Sequence, residues 1–194
     1  AETVPFGLAA LGASGELAGD EIRLDGKVIA SLAGAVLPGA HNRENYLAAV
    51  LAAHFAGADR AAIERVVRSF AGLPHRNQFV AEKEGRRFYD NSKGTTVNSV
   101  ASSIAAFPGR PIVLIAGGRD KGLDFSALRQ LVHERVKLLV LIGEAAAMID
   151  AALAFPQTVH APDMAAAVRA AWQGTVAGDI VLLSPACTSW DRYA

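Results

Sequence analysis

The sequence predicts an α/β fold in which a mainly parallel sheet carries helices on both faces, and three observations support this fold class. Apolar strands recur at Pro111–Ala116, Val136–Ile142 and Asp179–Leu183. Stretches with helical periodicity separate these strands, and such alternation is typical of parallel sheets covered by helices. Glycine and polar residues gather directly after the strands, where sheets of this kind bind ligands.

The first third of the chain has a different pattern. Asp25-Gly26 lies between two alternating stretches and predicts a hairpin within Glu21–Leu32. Apolar spacing predicts a helix over His41–Phe55 and a second helix over Arg60–Phe70. Leu73-Pro74-His75-Arg76 then interrupts the helical pattern, and we interpret it as a domain boundary.

The elements beyond this boundary follow from the same rules. Glu84-Gly85 predicts the turn of a second hairpin, which joins strands at Asn77–Ala81 and Arg86–Tyr89. A short strand is predicted at Gln157–His160. Helices are predicted at Val97–Phe107, Phe125–Val132, Glu144–Ala154 and Met164–Trp172.

Composition excludes several classes of function. The 194 residues carry 19 basic and 19 acidic side chains, so no net positive field draws the protein to nucleic acid or to a membrane surface. No apolar run reaches the length of a membrane span, and the N-terminus has no signal-peptide pattern. Cys187 is the single cysteine, so no internal disulfide can form. These features favour a cytoplasmic protein that does not insert into membranes.

The first candidate segment is Asp90-Asn91-Ser92-Lys93-Gly94-Thr95-Thr96, between a predicted strand and a predicted helix. Hydroxyl groups and the N–H groups of a helix start can bind an anion, and a lysine adds a charge suited to phosphate. It is not a Walker A sequence, which needs two glycines that flank four residues before the lysine. An ordinary helix cap with a solvated lysine explains the segment equally well.

Two further segments follow predicted strands. In Gly117-Gly118-Arg119-Asp120-Lys121-Gly122 the basic side chains suit a carboxylate or a phosphate, although a charged turn is the simpler interpretation. In Ser184-Pro185-Ala186-Cys187-Thr188-Ser189 the hydroxyls of Thr188 and Ser189 are plausible donors to a carboxylate. The sequence assigns Cys187 no catalytic base, so we interpret it as a small packed residue.

Two pairs of candidate binding residues precede these segments in the sequence. Asn42 and Asn45 are three residues apart on one helix face, and their amides suit an adenine edge, although helix capping is the simpler explanation. His75 and Arg76 could bind a phosphate, but a lone histidine is more often structural. No histidine has the spacing of a metal site, so the sequence predicts no metal ligand in this chain.

The order of these segments carries more information than any one of them. From about Val36 onward it resembles the closing half of the Mur ligases, and specifically the type that adds D-glutamate. The resemblance implies the C-terminal part of the central ATPase domain over residues 1–72. It implies the C-terminal, Rossmann-like, amino-acid-binding domain over residues 73–194.

The resemblance also implies a reaction. ATP, with Mg²⁺, phosphorylates the carboxylate of UDP-N-acetylmuramoyl-L-alanine, and the amine of D-glutamate attacks the resulting acyl phosphate in peptidoglycan synthesis. Both substrates are small molecules, and a monomer is expected. The principal Mg²⁺ ligands are expected upstream of this chain.

Residue roles follow from the same resemblance. Lys93 and Lys121 are the catalytic cations, with Lys93 near the reacting phosphate. Lys121 also binds D-glutamate, together with Thr95, Thr188 and Ser189. The nucleotide-binding residues are Asn42, Asn45, His75, Arg76, Asp90 and Asn91.

This chain departs from the family pattern in two ways. Asp90-Asn91 stands where the family has Asn-Asp, so the ribose hydroxyls are held either by Asn91 without charge assistance or by Asp90. No Walker A sequence occurs in the 194 residues, and the first residue is Ala1 rather than Met. We therefore expect a fragment that is inactive alone. The alternatives are a stand-alone module that binds a nucleotide or an amino acid, and a Mur ligase that adds another amino acid.

Overall fold

The computed structural model describes residues 6–7, 14–37 and 39–188, with the side chains of 6–7 left out. The predicted carboxylate donor Ser189 lies outside these ranges. The chain divides into two compact units, Ala1–Ala71 and Gly72–Ala194. Among the described residues, no helix is both long and apolar enough to cross a membrane.

The first unit is a four-stranded sheet with two helices. Its strands, in spatial order, are β1 (Phe6–Gly7), β2 (Gly15–Ala18), β3 (Glu21–Leu24) and β4 (Lys27–Ser31), and only the β1–β2 pair is parallel. The β3–β4 hairpin is confirmed at Asp25-Gly26, where both residues have positive φ. The sequence pattern does not predict β2.

Helices α1 (Ala40–Phe55) and α2 (Arg60–Ser69) are both confirmed within one residue of their predicted bounds. Asp59 begins α2, because its side chain accepts a hydrogen bond from the Ala62 N–H at 2.8 Å. Leu47 and Leu51 of α1 share an apolar core with Ile63 of α2 and with Ile22 of β3. The unit therefore has a core of its own.

The second unit is built on a six-stranded sheet in the order β5-β6-β10-β7-β8-β9. The β5–β6 hairpin is antiparallel, and every other pair is parallel. The strands are β5 (Gln78–Lys83), β6 (Arg86–Asp90), β7 (Ile112–Gly117), β8 (Val136–Ile142), β9 (Thr158–His160) and β10 (Ile180–Leu183).

Helices cover both faces of this sheet, as the sequence predicted. The helices are α3 (Val97–Ala105), α4 (Arg129–Arg135), α5 (Ala146–Leu153) and α6 (Met164–Gln173). Ile104, Val132 and Ile149 of the first three pack with Leu114 of β7 in one core. Ala167 of α6 packs with Val113 in a second core on the other face. Successive side chains of a strand point to opposite faces, so one buried strand serves both cores.

Two predicted helices differ at their N-terminal ends, and α3 ends at Ala105, two residues before the predicted Phe107. Phe125–Leu128 forms a 3-10 turn that leads into α4, because the Asp124 carboxylate accepts from the Ser126 N–H and tightens the first turn. The fifth helix begins at Ala146 rather than at Glu144, because the left-handed Gly143 still belongs to the turn after β8.

Candidate functional site

The carboxyl ends of three adjacent strands bring the candidate segments of the second unit together. Leu183 of β10 lies opposite Asp90 of β6 on one side and opposite Ile115 of β7 on the other. The loops that follow these strands therefore leave the sheet side by side. They carry Lys93, Lys121 and Thr188, so three of the predicted site residues share one edge of the sheet.

Asp90 joins the loop after β6 to the segment that precedes β5. Its Oδ2 lies 2.7 Å from His75 Nδ1, and its Oδ1 accepts from the Ser92 N–H at 2.7 Å. The Lys93 N–H in turn donates to the His75 carbonyl oxygen at 3.2 Å. His75 has φ 63, a left-handed conformation that is uncommon for a residue with a side chain. The two predicted nucleotide residues Asp90 and His75 are therefore in direct contact.

Hydrogen bonds determine the ionisation of Asp90. Burial by itself would raise the pKa of this carboxyl, but the bonds from His75 and Ser92 outweigh burial and hold the pKa below its ordinary value. A carboxyl with a lowered folded-state pKa stabilises the fold above its unfolded-state pKa, and it loses that contribution as the pH falls through the folded value.

We expect Asp90→Asn to remove this acid-sensitive contribution. The difference in the free energy of unfolding between the wild type and Asp90→Asn should be largest near neutral pH. This difference in free energy should become smaller as the pH falls below about 4, because the wild-type carboxyl then becomes protonated and loses its charge. Urea unfolding of both proteins from pH 7 to pH 3 measures the difference, with Glu144→Gln at the same edge as the control. A difference that stays constant across this range would contradict the prediction.

Asn91 is buried, with 6% of its surface exposed. Its Nδ2 donates to Ser103 Oγ at 2.7 Å and to Ser184 Oγ at 2.9 Å, and its Oδ1 accepts from the Asn77 N–H at 3.3 Å. Both amide donors are therefore used inside the second unit. The sequence pattern marks Ser184 only as part of a segment and does not indicate Ser103, because nothing in a helical serine points to such a partner.

Lys93 and Thr95 lie between this buried network and α3. The Lys93 side chain is exposed, and Thr95 is half-buried. A capping box begins α3: the Thr96 hydroxyl accepts from the Ser99 N–H at 3.2 Å, and the Ser99 hydroxyl accepts from the Thr96 N–H at 3.2 Å. The helix-cap interpretation of this segment therefore holds for Thr96, and it leaves the Lys93 side chain free to bind an anion.

The loops after β7 and β10 are bonded to each other. Arg119 N–H donates to the Thr188 carbonyl at 2.9 Å, and the return bond from Thr188 N–H measures 3.4 Å. This close approach requires glycine, because a Cβ on Gly118 would lie 2.5 Å from the Thr188 carbonyl oxygen. The arrangement holds Thr188 beside the loop that carries Lys121.

Lys121 is exposed at this edge, whereas Cys187 is buried beneath it. Burial, reinforced by the negative charge of Asp120 and opposed by Lys121, raises the pKa of the Cys187 thiol to about 11. A thiol with so high a pKa is not a nucleophile near neutral pH, in agreement with its interpretation as a packed residue. Asp120 Oδ1 is buried without a hydrogen-bond partner among the described residues.

The remaining predicted residues are placed as follows. Arg76 is exposed in the segment before β5, next to His75. Asn42 and Asn45 lie in the first half of α1 in the first unit, with Asn42 half-buried and Asn45 exposed. The Asn42 N–H donates to the Gly39 carbonyl at 3.2 Å. Among residues 14–37 and 39–188, no cluster of three or more His, Cys, Asp or Glu side chains could hold a metal ion.

The second unit is thus an α/β domain whose strand ends present lysines, hydroxyls and a helix start, a combination that suits anionic ligands. Its sequence matches the family model described as "Mur ligase, glutamate ligase domain" over residues 75–187. The chain belongs to the Mur ligase family.

Two curated relatives of this chain have the same name. The chain is 44% identical over 172 residues to the UDP-N-acetylmuramoylalanine--D-glutamate ligase of Geobacillus kaustophilus, covering 87% of this chain and 38% of that protein. It is 37% identical over 197 residues to the protein of the same name from Bacillus subtilis, covering 100% of this chain and 43% of that protein. The chain therefore spans less than half of the length of these relatives.

Solved structures share the fold at low sequence identity. The UDP-N-acetylmuramate-alanine ligase MurC of Thermotoga maritima is similar over 94% of this chain and 44% of that chain, with a TM-score of 0.73 and 16% identity. The FolC protein of E. coli, solved in complex with ADP, is similar over 89% of this chain and 43% of that chain, with a TM-score of 0.63 and 19% identity.

Proposed function

We propose that this chain is the amino-acid-binding part of an ATP-dependent ligase that joins D-glutamate to UDP-N-acetylmuramoyl-L-alanine in peptidoglycan synthesis. The observation that carries the proposal is the shared strand edge, where Lys93, Lys121 and Thr188 follow three adjacent strands. The relatives that carry the name of this ligase, at 37–44% identity, support the choice of substrate.

The β6 side of the edge suits the nucleotide. ATP supplies the phosphoryl group that activates the muramoyl carboxylate. Lys93 is exposed in the loop after β6, where its ammonium can stabilise the negative charge of the transferring group. Arg76 can hold a further phosphate oxygen, since a guanidinium offers several donors in one plane. The Asp90–His75 contact holds these two basic residues on neighbouring segments.

The β7 and β10 side of the edge suits the amino acid. D-glutamate carries two carboxylates, and Lys121 and Thr188 offer an ammonium and a hydroxyl there. Thr95 adds a second hydroxyl from the loop after β6. We assign Lys121 to a carboxylate of D-glutamate, and we assign Ser189 to its side-chain carboxylate from the family pattern. Binding at both carboxylates would hold the amine in a fixed orientation for attack.

We also propose domain assignments and roles for the remaining groups. Residues 1–72 would be the C-terminal part of the central ATPase domain, and residues 73–194 the C-terminal domain of the ligase. Asn42 and Asn45 would then contact the adenine. Mg²⁺ would be held chiefly by residues outside this chain, as the family pattern implies. We further propose a monomeric protein of the cytoplasm.

We expect the 194-residue chain alone to release no phosphate from ATP when all three substrates and Mg²⁺ are present. The sequence contains no Walker A loop, so the γ-phosphate lacks its usual set of backbone donors. The full-length protein that carries these residues should release phosphate, and D-glutamate should be required. A coupled assay for phosphate release measures both.

The amino acid in this assay tests the alternatives. L-glutamate, L-lysine and meso-diaminopimelate serve as matched substrates. Turnover with one of them in place of D-glutamate would indicate a Mur ligase of different specificity. Phosphate release by the isolated chain would disprove its inactivity. If the full-length protein binds nucleotide but shows no turnover with any of the four amino acids, it is a binding module rather than a ligase.

A further inference from the structure

We infer that Asn91 is a positioning residue, whose buried amide holds the Lys93–Thr95 loop against the end of β10, and that its side chain does not contact the nucleotide. The inference rests in part on the proposed function, because Lys93 and Thr95 are the groups that it positions. It differs from the role that the family pattern assigns to this position, which is a contact with the ribose hydroxyls.

The geometry places Asn91 among three elements. Ser103 belongs to α3 and is 2% exposed, Ser184 follows β10 and is fully buried, and Asn77 precedes β5. Both amide hydrogens and one lone pair of the amide oxygen are therefore used within the domain. A ribose diol would have to displace a buried partner in order to reach this side chain, and the displaced polar group would lose its hydrogen bond while still buried.

The main chain of the same loop supports a positioning role. Gly94 N–H donates to the Asn91 carbonyl at 2.7 Å, and the Ala186 N–H donates to the Gly94 carbonyl at 2.9 Å. A Cβ on Gly94 would lie 2.2 Å from Asn91 Nδ2 and 2.9 Å from Ser184 Oγ. The loop therefore packs directly on the amide network, so that any movement of Asn91 is transmitted to the residues on either side of Gly94.

This network also links the two halves of the candidate site. Asn91 bonds to Ser184, four residues before Thr188, and the Gly94–Ala186 bond makes a second link between the same loops. Lys93, which we assign to the phosphoryl group, and Thr188, which we assign to the amino acid, are thus held at a fixed distance by the same hydrogen-bond network. A shift of about 1 Å in the position of a catalytic group can lower the rate about 100-fold.

Ser103→Ala tests the inference without changing any exposed group of the site. The full-length protein is used, and Ser102→Ala is the matched control, since Ser102 is the exposed neighbour on the same helix. We expect Ser103→Ala to lower kcat by about 10-fold with the KM for ATP within twofold, because Lys93 acts on the transferring group rather than on bound nucleotide. Two results would overturn the inference: kinetic constants equal to those of Ser102→Ala, or a rise in the KM for ATP without a fall in kcat.

Asn91→Asp gives an independent test, because it restores the residue that the family pattern has at this position. The carboxylate cannot donate to either serine, so we expect a lower melting temperature and no gain in affinity for ADP. If the side chain instead faces the ribose, the added charge would strengthen nucleotide binding. Tighter binding of ADP to Asn91→Asp, measured by calorimetry, would therefore contradict the inference.

Hydrogen exchange separates failure of this inference from failure of the proposed function. In the full-length protein, Ser103→Ala should speed exchange of the Gly94 and Ala186 amides by about 10-fold, while the amides of β8 exchange at the wild-type rate. This readout does not depend on any activity. Absence of ligase activity in the wild-type protein would contradict the proposed function. Unchanged exchange of the Gly94 and Ala186 amides in Ser103→Ala would contradict the positioning role of Asn91.

Discussion

Gly117→Ala is expected to destabilise the second unit by about 4 kcal/mol, which is a large part of the stability of a typical domain. A Cβ at this position would lie 2.0 Å from the Ile142 carbonyl oxygen, which is main chain of the neighbouring strand and cannot rotate away. Gly117 also has φ 115, a conformation that residues with a side chain rarely adopt. The substitution must therefore separate β7 from β8 at the edge that carries the candidate site.

Gly122→Ala is the matched control for this prediction. Gly122 has φ 71 in the same loop, but a Cβ there would meet nothing within 4 Å. Its substitution should cost only the backbone strain, about 1 kcal/mol. Urea unfolding followed by far-ultraviolet circular dichroism measures both variants. Equal losses of unfolding free energy in Gly117→Ala and Gly122→Ala would show that the clash with the Ile142 carbonyl does not destabilise the domain.

Lys121→Ala is expected to abolish the use of D-glutamate by the full-length protein, with kcat/KM for D-glutamate falling by at least about 100-fold. The exposed ammonium lies in the loop after β7, which two backbone hydrogen bonds hold against Thr188. Removal of this cation would leave a carboxylate of the amino acid without its charged partner. The KM for ATP should change little, because the residues of the second unit that we propose for the nucleotide lie on the β6 side.

Steady-state kinetics at low and at saturating D-glutamate test this role of Lys121. Lys83→Ala is the matched control, because Lys83 ends β5 at the opposite edge of the sheet and lies over the Trp172 ring, 5.4 Å from its centroid. It should leave all kinetic constants unchanged. Turnover by Lys121→Ala that equals the wild type at both concentrations would remove Lys121 from the site.

Much of the site could be predicted because local rules place its segments. Strand periodicity places Lys93, Lys121 and Thr188 directly after β6, β7 and β10, and the carboxyl ends of adjacent parallel strands meet at one edge. The assignment of Cys187 to packing was also correct, because no base could be paired with it. What could not be predicted is which polar side chains turn inward. Asn91 and Asp90 are neighbours of similar size, yet Asn91 is buried among serines while Asp90 contacts His75.

The sequence by itself determined the α/β class, the hairpins, the helices and the order of the candidate segments, because periodicity, turn residues and caps act over a few neighbouring positions. Only the tertiary structure decided the strand order, in which β10 lies between β6 and β7 and brings Thr188 beside the loop that carries Lys121. It also decided that Asn91 bonds to Ser103 and Ser184, 12 and 93 residues away. Such contacts depend on which strands pair and on the close packing of the core, and no local pattern specifies either.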